Sequence, residues 1–191
     1  HMNTKKLICS LATAAVVMLM SGCGNQSIED QFVFGKTRVH CADATITINS
    51  PFELAVNGKQ ADLGPRDTDS VNAEGHNQNI QIIVSASRAG SGETVDSEKQ
   101  KALDIMTSDQ MLTNLKTDVK TAKAAGQDAQ VLTFTFTEND QGMSTNLTVI
   151  EYIFEYKNVV WRTIYQFRTD DPVGKALAER LAGKILPGTV I

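Results

Sequence analysis

The stretch VLTFTFTENDQGMSTNLTVIEYIFEYKNVVWRTIYQFR, residues 131–168, decides the fold. From Val131 to Thr137, Leu132, Phe134 and Phe136 alternate with Val131, Thr133, Thr135 and Thr137, the period-2 pattern of a strand with one apolar and one threonine-lined face. A turn follows at Glu138-Asn139-Asp140-Gln141-Gly142. Asn146 to Tyr156 and Val159 to Arg168 then read as two long strands joined at Lys157-Asn158. With those two residues as the turn, Phe154 opposes Trp161, Tyr152 opposes Thr163 and Ile150 opposes Tyr165. Aromatic pairing of this kind stabilises a sheet by about 0.2–1 kcal/mol per pair. The other face carries Glu151 and Glu155 near Arg162, with Ile153 and Ile164 between them.

Downstream, Asp171-Pro172 supplies an N-cap and a first-turn proline. Val173, Leu177, Leu181 and Ile185 mark a buried helical stripe that ends at Leu186-Pro187-Gly188. Upstream, Ser97 with Gln100 and Thr107 with Gln110 form two capping-box patterns. They predict one broken helix or two short ones from about Glu98 to about Lys116, with Leu103, Met106, Met111, Leu112 and Leu115 buried and the methionines as core filler. Ile80, Ile82 and Val84 mark a strand with an unpaired edge. Thr45 to Ile48 is another strand, broken by Asn49-Ser50-Pro51, and Asn57-Gly58 signals a tight hairpin because both central positions favour positive φ. Lys59 to Gln78 is polar, lacks an apolar period and reads as a long loop; Arg88 to Asp96 reads as another.

Strands, a mid-chain helix, an antiparallel three-strand meander and a C-terminal helix together predict an α+β fold, an antiparallel sheet with both helices packed on it. The order resembles the PsbP-like fold. The resemblance is carried by Ile48-Asn49-Ser50-Pro51-Phe52-Glu53-Leu54, the Gly126 to Phe136 entry to the meander, the Tyr152 to Tyr165 hairpin and the Val173 to Ile185 helix, and covers about residues 43 to 187. Cystatin-like and NTF2-like sheets are the alternatives. Members of the resembled family often act as accessory or scaffolding proteins, which implies the same for this chain.

The N-terminus gives an address. His1 before Met2 reads as a cloning scar. Lys5 and Lys6 precede an apolar run, Leu7 to Met20, too short to span a bilayer comfortably, and Met20-Ser21-Gly22-Cys23 closes it. This segment resembles a bacterial lipoprotein signal peptide. The resemblance implies cleavage after residue 22, diacylglycerol on the Cys23 sulfur and acylation of the freed amine. Two or more chains hold stably where one holds only marginally. The expected organisation is a signal peptide over 1–22, the lipidated cysteine with a tether or first strand over 23–42, and one α+β domain over 43–191. The protein is then anchored to the outer face of a bacterial cell or outer membrane.

Composition narrows the chemistry. The chain of 191 residues has 18 basic and 22 acidic side chains; without Lys5 and Lys6 the balance is 16 against 22, so a nucleic-acid partner is not expected. Cys9 leaves with the signal and Cys23 carries lipid, so Cys41 cannot form an intramolecular disulfide and reads as a small buried hydrophobe. No phosphate-binding Gly-rich loop, Gly-x-Ser-x-Gly elbow or Cys-x-x-Cys pair occurs, and Ser91 in Gly90-Ser91-Gly92 reads as a flexible turn. His40 and Cys41 are adjacent on extended chain and point to opposite faces, so no metal site or cofactor is expected. Asp67, Asp69, Glu74 and His76 make the long polar segment the candidate ligand loop, although their spacing misses the calcium-loop pattern. Thr133, Thr135, Glu151, Ile153, Arg162 and Ile164 make the candidate partner face. These readings predict a non-enzymatic lipoprotein that binds an envelope protein partner. The second is a small-ligand or metal-ion-binding module, and the third a hydrolase.

Overall fold

The structure is a computed structural model that describes residues 27–188. The expected signal segment and Cys23 lie outside the described residues.

Long β-branched and aromatic runs build the frame. After a short helix α1 (Ile28–Gln31), a small sheet pairs β1 (Gly35–Cys41) with β2 (Ala44–Ser50), and β2 also pairs β11 (Ile185–Pro187). The large sheet has eight strands in the order β4-β3-β5-β6-β10-β9-β8-β7. They are β3 (Ala55–Val56), β4 (Lys59–Gln60), β5 (Ser70–His76), β6 (Gln81–Arg88), β7 (Leu112–Ala124), β8 (Gln127–Asp140), β9 (Met143–Tyr156) and β10 (Val159–Arg168). Two longer helices complete the chain: α2 (Val95–Ser108), between β6 and β7, and α3 (Pro172–Leu181), after β10.

Three layers result. One face of the large sheet packs against the small sheet and α3 around Trp161, Tyr165, Phe154, Ile82, Ile46, Ile48, Leu177 and Leu181, all at most 1% exposed. The other packs against α2, whose Ala102 and Met106 meet Leu132, Phe134, Phe136, Leu147, Ile153 and Ile164. The fold is therefore the expected α+β sandwich. Pairing of β9 with β10 follows the expected register, with Phe154 opposite Trp161, Tyr152 opposite Thr163 and Ile150 opposite Tyr165. Lys157 and Asn158 turn the hairpin at φ 50° and 61°, and Asp171 caps α3 by accepting from Val173 N–H at 3.0 Å.

Five expectations are corrected. The helix over Glu98 to Lys116 ends at Ser108; its capping box joins Thr94 and Ser97, not Ser97 and Gln100. Residues 112–124 are a strand, so the meander has four strands. The C-terminal helix stops at Leu181, because Gly183 takes φ 79° beneath the Tyr152 hydroxyl, and Ile185 is buried in β11 instead. The segment read as a loop over Lys59 to Gln78 contains β4, a 3₁₀ turn (Ala61–Leu63) and all of β5. Its inward residues, Val71, Ala73 and Gly75, are too small to raise an apolar period. Because β5 pairs β6 along its length, Ile80 to Val84 is not an edge: β6 lies between β5 and β10.

An ionic network docks α2. The Arg162 guanidinium lies 2.5 Å from Glu151 and 3.8 Å from Glu98 on the helix, and Lys101 reaches Glu98 at 3.0 Å and Glu93 at 3.6 Å. Burial works against the Arg162 charge, but the carboxylates outweigh it and raise its pKa. Removing the cation strands Glu151, which is 3% exposed. Arg162→Ala is therefore expected to lower unfolding free energy by about 3–5 kcal/mol in urea titrations. A loss near zero would show that water already satisfies the two carboxylates.

Candidate binding groove

A groove of about 860 Å³ opens where the chain from Glu53 to Thr68 wraps the β5 end of the large sheet. The Ser50 side chain starts the wrap, accepting from the Phe52 amide at 3.1 Å, and Leu54 is fully buried beneath it. The expected hairpin forms at Asn57-Gly58, with φ 51° and 78°, between β3 and β4. A bidentate pair holds the 3₁₀ turn to β1: Arg38 Nε lies 2.7 Å from Asp62 Oδ1 and Nη2 donates to Oδ2 at 2.9 Å. His40 sits behind them, 3% exposed, with Nδ1 2.8 Å from Thr45 Oγ1 and Nε2 3.2 Å from the Asp62 carbonyl oxygen. One ring nitrogen thus ties to β2 and the other to the wrap.

The large sheet supplies the floor. Alternation along β5 puts Ser70, Asn72, Glu74 and His76 on one face, opposite Ser87, Ser85, Ile83 and Gln81 of β6, with Ile164 of β10 beyond Ile83. Aliphatic floor and hydroxyl or amide walls can hold an extended chain or a small molecule with both apolar and hydrogen-bonding groups. The rim is acidic through Glu53 and Glu74. Among the described residues no three His, Cys, Asp or Glu side chains converge as metal ligands.

The structure divides the candidate ligand residues. Glu74 and His76 line the groove; Asp67 does not, and Asp69 is drawn off to Arg88 at 3.0 Å. The proposed partner face also divides. Register places Thr133 and Thr135 on the face shared with Ile150 and Thr148, whereas Glu151, Ile153, Arg162 and Ile164 lie on the opposite face. The latter four are the seat of α2, with Ile153 fully buried, so an internal helix accounts for their pattern. Only Ile164 also reaches the groove. Sequence reading missed Asn72, Ser85 and Ile83; strand periodicity, had β5 been recognised, places them on one face with Glu74. Cys41 is fully buried with its thiol pushed up to about 11 by burial.

No protein-family model matches this sequence, and no curated protein matches it. Several solved structures match in fold. Cyanobacterial PsbP (CyanoP) from Synechocystis sp. PCC 6803 is 12% identical and aligns over 88% of this chain and 99% of its own, with a TM-score of 0.51. LpqN, described as involved in cell envelope biogenesis of Mycobacterium tuberculosis, is 15% identical over 87% of this chain and 100% of its own, with a TM-score of 0.46. A Bacteroides thetaiotaomicron protein is 12% identical over 75% of this chain, which spans 45% of that protein's length, with a TM-score of 0.43.

Two tests follow from the wrap. A Cβ on Gly75 would sit 2.7 Å from the Phe52 ring and 2.8 Å from the Glu53 carbonyl oxygen, so Gly75→Ala is expected to push the wrap off β5 and cost about 1–3 kcal/mol in chemical denaturation. An unchanged midpoint would mean that the wrap already moves freely. The hydrogen bond and charge of Arg38 hold the Asp62 carboxyl below its usual range. A depressed folded pKa adds stability above the unfolded value and loses it as pH falls through the folded one. Asp62→Asn should therefore melt below wild type at neutral pH, with the gap closing in acid; a gap constant with pH would assign the loss to packing. These findings leave the chain with the fold of PsbP, an α+β sandwich with a groove at one end of its large sheet.

Proposed function

We propose that this chain is an extracytoplasmic lipoprotein, tethered to a bacterial membrane through Cys23, that acts as a non-enzymatic accessory module by holding a segment of an envelope protein. The groove carries the reading. It presents an aliphatic strip, Ile83 and Ile164, beside Ser70, Asn72 and Ser85 under an acidic rim, which suits an extended segment bearing lysine or arginine. The lipobox Met20-Ser21-Gly22-Cys23 supports the address, and the PsbP-like fold is compatible with an accessory role.

The volume favours a second reading, a small-ligand module using the same groove, because about 300–1,000 Å³ is the usual size of small-molecule pockets.

In-cell photocrosslinking from position 74, with mass spectrometry of the adducts and Cys23→Ala as the untethered control, separates the readings. A specific envelope protein captured by the tethered form and lost on Gly75→Ala supports the accessory module. Capture of no protein, together with a small molecule that co-purifies with wild type and is lost in Glu74→Ala, moves the assignment to the second.

A further inference from the structure

The large sheet ends in two different ways. On the groove side it closes with strands of two residues, β3 and β4, too short to template pairing. On the other side it ends in β7, thirteen residues long, whose outer edge faces no strand among the described residues. Every β7 side chain from Lys116 to Thr121 is exposed, Val119 by 43%. Lys116, Lys120 and Lys123 space charge along it, the usual guard against indiscriminate strand addition.

The guard has a self-complementary opening. Residues 117–121 read Thr-Asp-Val-Lys-Thr. Set antiparallel to a second copy with the two-fold axis at Val119, they place valine on valine, each Asp118 opposite the other copy's Lys120, and each Thr117 opposite Thr121. Each is a favourable cross-strand pair. Neighbouring registers fail: centring on Asp118 opposes Asp118 to itself and Lys116 to Lys120, and centring on Lys120 opposes two lysines. Centring on Thr117 runs pairing into the bulge between Thr113 and Lys116, where Asn114 takes φ 56°.

Backbone geometry agrees. β7 and β8 are joined by the two-residue turn Ala125-Gly126, both at positive φ, which makes Ala124 and Gln127 the closing hydrogen-bonded pair. Alternation from that pair turns the N–H and C=O groups of Ala122, Lys120 and Asp118 toward β8. Those of Lys123, Thr121, Val119 and Thr117 turn outward. The residues that carry the self-complementary pattern are therefore those whose main chain is available at the edge.

We propose that β7 is an isologous interface, through which two copies of this chain join their eight-stranded sheets into one continuous sheet with Val119 on the axis. The two grooves then lie at opposite ends, about 50 Å apart at ordinary strand spacing, so the dimer engages two sites at once. The interface does not depend on what fills the groove or on lipidation.

The test uses the full chain extracted from membranes in mild detergent, with dimerisation followed by sedimentation. Wild type is expected to dimerise at micromolar concentration. Asp118→Lys and Lys120→Asp should each weaken dimerisation by about tenfold, since each sets like charges face to face at two places. The double exchange, which restores opposite charges, should recover it. Under mild oxidation, Asp118→Cys mixed with Lys120→Cys should give a disulfide-linked heterodimer, as the Cα spacing of a directly opposed non-hydrogen-bonded pair, about 4.5 Å, suits a disulfide. A wild-type chain monomeric at every concentration overturns the proposal, as does a dimer that neither charge reversal weakens.

Discussion

The pairing of β9 with β10 is the constraint on which the rest of this structure depends. Its register, fixed by the tight turn at Lys157-Asn158, sorts the side chains of two long strands between two unlike faces. On one, Trp161 and Phe154 are fully buried, and the indole donates to the Tyr156 carbonyl at 3.2 Å. Tyr152 and Tyr165 meet nearby edge to face at 6.5 Å. On the other, Arg162 stands among Glu151 and Glu98. Slipping the register by one residue would put the indole where the guanidinium is and the guanidinium into an apolar core. Each side of the sandwich is thus specified by the same two-residue turn.

The two faces are covered by different means. The small sheet and α3 close the Trp161 side by apolar burial, and each large side chain buried there contributes on the order of 1.5–3 kcal/mol. The α2 side is narrower and more polar. Met106 and Ala102 supply packing, while the network from Arg162 to Lys101 fixes where the helix lies. Because α2 does not extend over β5, that end of the sheet stays open to the wrap between Glu53 and Thr68. The groove exists because a short helix covers a wide sheet.

Legibility followed burial. Strands with one face in a core, such as Val131 to Thr137 and Val159 to Arg168, carry alternation that survives in one dimension. β7 is exposed on both faces from Lys116 to Thr121, so nothing there announces a strand, and the leucines at 112 and 115 suggest a helix that pairing with β8 overrides. β5 was hidden for another reason: its inward residues include Ala73 and Gly75, and Gly75 is small because Phe52 packs over it. The groove inherits both blind spots. Glu74 and His76 stood out as chemistry-bearing residues, but Asn72, Ser85 and Ile83 join them only through strand pairing between segments of unremarkable sequence.

By itself the sequence determined the α+β class, the hairpin at Lys157-Asn158, the turn at Asn57-Gly58 and the Asp171 cap. Each is a local preference or a short-range period that no distant contact needs to complete. Tertiary structure decided what those elements cover. Whether Ile153 and Ile164 face a partner or an internal helix, whether Ile80 to Val84 lies at an edge or within the sheet, and which polar residues share a groove all depend on strand order. Strand order is a property of pairings between residues far apart in the chain, and alternation along a single strand reads the same at the edge or the centre of a sheet.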